Sequence, residues 1–161
     1  MANTYHQVYI MFVFAVKYRQ ALLGKAWRQE VFGVMGQLIN ENGSKTLIVN
    51  GVEDHVHCLV AFGKLGSQSD LMKEVKARSS KYINEHQLTE CRFEWQSGYA
   101  SFSYSHSSLK NVYRYVENQE EHHKKQKFKE EYVELLQSFD IEYDEKYIFH
   151  EPMDYYSFST E

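Results

Sequence analysis

The sequence predicts an α+β domain: a ferredoxin-like, split βαβ antiparallel sheet with helices on one face and additional C-terminal helices. Three observations predict it. The hydrophobic period switches between two residues and 3.6 in the order β-α-β-β-α-β-α. The dipeptide Asn50-Gly51 separates two short β-prone runs, as a hairpin turn would. No internal repeat or low-complexity segment interrupts that order.

Tyr5 to Val16, YHQVYIMFVFAV, is dense in aromatic and β-branched residues and reads as a buried first strand ending in the basic turn Lys17-Tyr18-Arg19. From Trp27 to Glu41, the residues Trp27, Val31, Val34, Met35, Leu38 and Ile39 recur at helical spacing, and Asn42-Gly43 stops the helix. Thr46 to Val49 and His55 to Phe62 are the two arms of the hairpin. A second helix runs from about Leu71 to His86, capped by Ser69 or Asp70. Phe93 to Phe102 supplies a fourth strand around Gly98. Ser107 or Ser108 caps a helix through Leu109, Val112, Tyr113 and Val116 to Lys127, and a short helix, Lys129 to Ser138, follows. Residues 1–140 therefore form one domain, and 141–161 an acidic, tyrosine-rich tail without expected regular structure.

Composition narrows the function classes. A charged share of 25% and a hydrophobic share of 43% belong to a globular chain, not a disordered one. There is neither a bilayer-length apolar run nor a signal-peptide pattern, and Cys58 and Cys91 have no CxxC spacing, so a cytoplasmic, reduced setting is expected. The net charge of -4 argues against a nucleic-acid partner when taken alone. Its distribution argues differently: residues 1–82 carry 10 Lys+Arg against 6 Asp+Glu, and the remainder 8 against 16.

In the run EDHVHCLV, strand alternation puts Val56, Cys58, Val60 and Phe62 on one face, and His55 and His57 on the other with Leu59 and Ala61. Two imidazoles at that spacing can approach one divalent ion. On the tripeptide alone, two histidines on a half-exposed sheet face that bind nothing is the commoner outcome. Further along, Tyr115 and Gln119 are four residues apart and share one side of a helix, at the edge of the stripe Leu109, Val112, Val116. A glutamine carbonyl can join two imidazoles around Mg²⁺ or Mn²⁺, and a phenol beside it would meet a phosphate held there. Tyr113, with Glu117 four residues on, reads as packing. The charged run Glu120-Glu121-His122-His123-Lys124-Lys125 reads as a solvated helix end, which gives His122 and His123 no role.

Taken together, the motifs resemble the single-tyrosine HUH (His-hydrophobic-His) transposases of single-stranded insertion sequences, including the REP-associated tyrosine transposases. The matching stretches are Val16-Lys17-Tyr18-Arg19, Asp54-His55-Val56-His57, Phe93-Glu94-Trp95-Gln96-Ser97-Gly98-Tyr99, Phe102-Ser103 and Val112-Tyr113-Arg114-Tyr115-Val116-Glu117-Asn118-Gln119-Glu120-Glu121-His122-His123. They run in unbroken order over roughly residues 5 to 145.

The resemblance implies a Mg²⁺- or Mn²⁺-dependent DNA strand transferase in which His55, His57 and Gln119 hold the metal and Tyr115 is the nucleophile. It implies a 5′-phosphotyrosine intermediate, hairpins in single-stranded DNA as partners, no membrane, and a homodimer in which the sheet of one subunit can receive the tyrosine helix of the other. Lys17, Arg19, Lys73, Lys76, Arg78 and Lys81 are the candidate DNA-binding cations, each also readable as an ordinary solvated charge. The acidic overall balance departs from the basic character expected of that family. Two alternatives stand beside this reading. One is a catalytically inactive or domesticated hairpin-binding module of the same fold. The other is a zinc hydrolase using His55 and His57, for which no third ligand stands at the usual spacing.

Overall fold

The structure, a computed structural model, describes residues 3–148. Within it a four-stranded antiparallel sheet has the order β2-β3-β1-β4, the split βαβ arrangement that the element order predicts. β1 (Tyr9–Ala15) lies in the middle of the sheet and β3 (His55–Ala61) beside it, so both are buried nearly throughout. Their register sets Val13 opposite His57 and Ala15 opposite His55. β2 (Lys45–Gly51) is one edge, with Asn50 opposite His57, and β4 (Ala100–Tyr104) is the other.

Alternation along β1 builds two cores. Ile10, Phe12, Phe14 and Val16 point to one face, where α1 (Arg28–Glu41) and α2 (Gln68–Glu85) contribute Val31, Phe32, Met35, Ile39, Leu71, Met72, Val75 and Ile83. Met11, Val13 and Ala15 point to the other face, with Leu59 from β3. There they meet Val112 and Val116 of α3 (Leu109–Glu117), Phe128 and Leu136 of α5 (Phe128–Ser138), and Ile148 at the end of α6 (Glu145–Ile148). Each such residue removed from water is worth about 1.5–3 kcal/mol, so both faces stabilise the sheet. The C-terminal helices thus cover the face that carries the histidines, and the expected half-exposed strand face does not exist.

Several boundaries differ from expectation for local reasons. Ser67, not Ser69 or Asp70, caps α2, its hydroxyl accepting the Asp70 backbone N–H at 3.0 Å. Gly51 closes β2 rather than a two-residue turn, and a Cβ there would run into the His55 carbonyl. The fourth strand starts later than Phe93 because Gly98, at φ +85, breaks the extended run. Trp95 makes only an isolated bridge to Val16. The helix expected to run unbroken to Lys127 splits at Asn118 (φ -94, ψ 24) into α3 and α4 (Gln119–Lys125). The start of the expected tail includes α6, and residues 149–161 lie outside the described residues.

Candidate active site

β3 delivers His55 and His57 to the face under α3, α4 and α5, at 1% and 0% exposure. Their surroundings treat the two rings differently. His55 Nδ1 is 2.7 Å from Asp54 Oδ1, while Phe128 stacks flat on the ring with centroids 3.7 Å apart. A carboxylate only accepts, so Nδ1 carries the proton on that side, and a neutral His55 turns its Nε2 lone pair inward. That Nε2 lies 3.3 Å from Gln119 Oε1, whose amide nitrogen is committed to the Tyr115 carbonyl at 3.3 Å. Two electron-rich atoms therefore face one another in a buried space.

Glu131, on the first turns of α5, closes the space. Its Oε1 lies 2.9 Å from His57 Nε2 and 3.8 Å from His55 Nε2, and the residue is 3% exposed. The donor atoms of His55, His57 and Glu131 all lie within 4.8 Å of one another. Ligands sharing one cation with bonds of about 2.1 Å sit about 3–3.4 Å apart, so the spacing and chemistry of this set fit a divalent ion. Gln119 Oε1, at 3.3 Å from His55 Nε2, fits as a further oxygen donor.

The electrostatics point the same way. Burial alone would raise the Glu131 carboxyl, but the His57 hydrogen bond and the neighbouring imidazoles hold it down at about 2. Glu131 is thus a buried carboxylate. Burial lowers the His57 pKa and keeps that ring neutral, which is the form that binds metal. The other nitrogen of His57, Nδ1, is buried without a hydrogen-bond partner among the described residues.

Tyr115 reaches the same cluster from α3. Its ring stands edge-on to His57 (centroids 5.6 Å apart, 85°) and to His122 (5.1 Å, 68°). Burial raises its pKa, and the charge and hydrogen bond of Glu131 raise it further, so the phenol is protonated at neutral pH. Tyr113, two residues away, is 41% exposed, more open than the packing role expected of it.

The structure therefore brings together the four residues expected to form the site, His55, His57, Tyr115 and Gln119, within one chain. It also supplies residues that sequence reasoning missed. Glu131 completes a set that could hold a metal ion, where the sequence offers no third His, Asp or Cys at the usual spacing. Its only sequence signal is an acid on the apolar stripe of Phe128, Tyr132 and Leu135, at positions three and four residues apart. His122 and His123 are not a solvated helix end. His122 Nε2 is 2.9 Å from Glu131 Oε2, off the line of a hydrogen bond, and His123 Nε2 is 3.0 Å from Glu53 Oε1. Arg28, 6% exposed, reaches Glu120 Oε1 at 2.7 Å, so α4 is tied down at both sides.

The four candidate DNA-binding cations of α2 lie apart from this cluster. Lys73, Lys76, Arg78 and Lys81 belong to α2, on the opposite face of the sheet. Lys76 is a strut, donating to the Gln96 and Gly98 carbonyls at 2.6 and 2.7 Å, and burial lowers its pKa to about 8. Arg78 lies 3.4 Å from Glu41 and 3.8 Å from Glu74, and Lys81 lies 3.8 Å from Glu85. Lys17 pairs with Glu94 at 2.9 Å on the turn after β1, where Tyr18 and Arg19 both take left-handed backbone (φ 58 and 50). No helix among the described residues is long and apolar enough to cross a membrane.

Comparison with known proteins bears on both fold and site. No curated protein sequence matches the chain. Among solved structures, a Deinococcus radiodurans R1 protein provisionally named a transposase aligns at TM-score 0.59 and 18% identity, over 74% of this chain and 95% of that one. A REP-associated tyrosine transposase, solved bound to a REP hairpin, aligns at TM-score 0.56 and 12% identity, over 76% of this chain and 73% of that one. Identities this low establish a shared fold. The family model described as "Transposase IS200 like" matches residues 4–119, which include both histidines, Tyr115 and Gln119. The chain belongs to the IS200-like transposase family.

Proposed function

We propose that the protein is a metal-dependent single-stranded DNA transposase that cleaves and rejoins DNA through Tyr115 after recognising hairpin ends. The observation that carries this reading is the buried convergence of His55 Nε2, His57 Nε2, Glu131 Oε1 and Gln119 Oε1 beside the Tyr115 ring. A buried carboxylate, two imidazoles and an amide oxygen converging on one space are the donor types that a divalent cation takes. His55, His57, Glu131 and Gln119 would hold a Mg²⁺ or Mn²⁺ ion, which supplies Lewis-acid polarisation of a phosphodiester oxygen.

The protein's own groups account for the rest of the step. Tyr115 Oη attacks phosphorus, the bond to the 3′ oxygen breaks, and a 5′-phosphotyrosine and a free 3′-OH result. As one phosphodiester is exchanged for another, the link stores the bond energy, and a second 3′-OH reverses the step without ATP. Asp54 fixes the His55 tautomer, Phe128 holds the ring flat, and Gln119 ties its amide to the Tyr115 backbone. Burial, reinforced by the charge and hydrogen bond of Glu131, keeps Tyr115 protonated in the free protein.

For the DNA surface, a groove of about 810 Å³ between α2 and residues 87–97 is lined by Lys76, Lys81 and Arg92 and also by Glu85 and Glu94. Lys73, Lys81 and Arg92, with Lys17 and Arg19 on the turn after β1, are the proposed phosphate contacts, and Lys76 holds the groove wall. A homodimer is proposed as the working assembly, as the family resemblance implies.

The test is incubation with hairpin-bearing single-stranded DNA and Mg²⁺ or Mn²⁺. A denaturation-resistant protein–DNA adduct that disappears in Tyr115→Phe is expected. Specific hairpin binding with no adduct under any divalent metal would favour the inactive module instead.

A further inference from the structure

Asn50 is the cross-strand partner of His57 at the edge of the sheet. Its side chain crosses to the tyrosine helix, where Nδ2 donates to both the Val116 and the Glu117 carbonyl at 3.0 Å. Its Oδ1 accepts from Gln29 Nε2 at 3.1 Å, which leaves the amide one orientation. The two carbonyls are the last of α3. Asn118 then leaves helical geometry, and α4 begins at Gln119. Kinks arise where a side chain inserts into the helical hydrogen-bond ladder, and Asn50 is the side chain that does so here. The break falls between Tyr115 on α3 and Gln119 on α4, two residues that an unbroken helix would hold at one fixed angle.

We propose that Asn50 is a positioning residue for the Tyr115 reaction: its amide clamps the α3–α4 joint to the strand edge beside His57, and so sets the phenol against the ligand cluster. This rests on the reading of Tyr115 as nucleophile. The polar ties on the α4 side of the joint are Arg28–Glu120 and His123–Glu53, whereas α3 packs on the sheet through the apolar side chains of Val112 and Val116. The α3 side, which carries the nucleophile, has Asn50. Misplacing a reacting group by about 1 Å costs on the order of 100-fold in rate, without any need for the protein to unfold.

The experiment compares wild type, Asn50→Ala and Asn50→Asp, the last nearly isosteric but unable to donate, all well below their unfolding temperatures. Three quantities are measured: Mn²⁺ affinity, hairpin-DNA affinity, and the single-turnover rate of adduct formation. Both variants should lose about 10- to 100-fold in that rate, with the two affinities within about twofold of wild type. A rate unchanged within about twofold, or a loss matched by an equal loss of Mn²⁺ affinity, would overturn the proposal. Amide hydrogen exchange on the metal-free protein provides a readout independent of DNA chemistry. Faster exchange confined to residues 114–121 in the variants supports the clamp, and unchanged exchange there overturns it. If wild type forms no adduct, the nucleophile reading fails, and the exchange result still decides whether Asn50 holds the joint.

Discussion

His57 Nε2 and Glu131 Oε1 lie 2.9 Å apart, although 74 residues separate them in the chain. The contact joins the middle of the sheet to the first turns of α5, and both residues are buried. A neutral His57 ring can donate to that buried carboxylate. The following expectations start from that pair.

Glu131→Gln keeps the shape and removes the charge. If Glu131 is a ligand, Mn²⁺ affinity falls by at least about 10-fold, and adduct formation falls with it. Asp54→Ala acts one step further out, by releasing His55 Nδ1, and should cost about 10- to 100-fold in metal affinity. Isothermal titration with Mn²⁺ checks both. Unchanged affinity in Glu131→Gln would leave Gln119 as the third ligand, as the sequence alone suggests.

Much of this is legible in the sequence, because periodicity is local. Alternation along EDHVHCLV correctly placed His55 and His57 opposite Val56 and Cys58, and the four-residue spacing of Tyr115 and Gln119 brought both to the site. Glu131 was not legible in the same way, since its role comes from α5 folding back over β3, a contact that no spacing rule contains. His122 and His123 were misread because a charged run looks solvated whatever packs on it; Glu131 and Glu53 are the acids that meet them. The split at Asn118 was hidden for a related reason. The residue that makes it, Asn50, lies on a different element.

The metal-free protein should lose stability in acid in two stages. Burial lowers the His57 pKa below its usual 6.5, so the unfolded chain takes up a proton near that pH that the folded chain refuses. Stability therefore falls as pH drops through about 6.5. Glu131 titrates at about 2 in the fold against an ordinary 4.5, so the unfolded chain is protonated first and a second loss accumulates between those values. Lys76, lowered to about 8 from 10.5, acts at the other end, with stability rising as pH increases between the two. Urea midpoints with chelator present check this. A flat profile between about pH 7.5 and 5.5 would contradict the burial of a neutral His57.

The two neighbouring tyrosines should behave as opposites. Tyr113 is 41% exposed and outside the cluster, so Tyr113→Phe should change adduct yield by less than about twofold. Tyr115→Phe removes only the hydroxyl, keeps the edge-on contacts with His57 and His122, and should abolish the adduct while leaving Mn²⁺ affinity intact. Gel shift and denaturing electrophoresis separate binding from linkage. An adduct that survives in Tyr115→Phe and vanishes in Tyr113→Phe would reverse the assignment.

Within this chain the Tyr115 ring stands edge-on to His57, with centroids 5.6 Å apart. A dimer that exchanged its tyrosine helices would have to break the Asn50 contacts to Val116 and Glu117, and either break or carry along the Arg28–Glu120 and His123–Glu53 pairs. Mixing Tyr115→Phe with His57→Ala distinguishes the two arrangements, because each variant lacks a different half of the site. If the site is formed in cis, every subunit in the mixture is defective and no adduct forms. If helices are exchanged, a mixed dimer pairs one intact tyrosine with one intact ligand set, and about a quarter of wild-type activity returns, since half of the dimers are mixed and each holds one working site of two. The contacts around the joint predict no recovery, and recovery near a quarter would show that the joint opens when two chains meet.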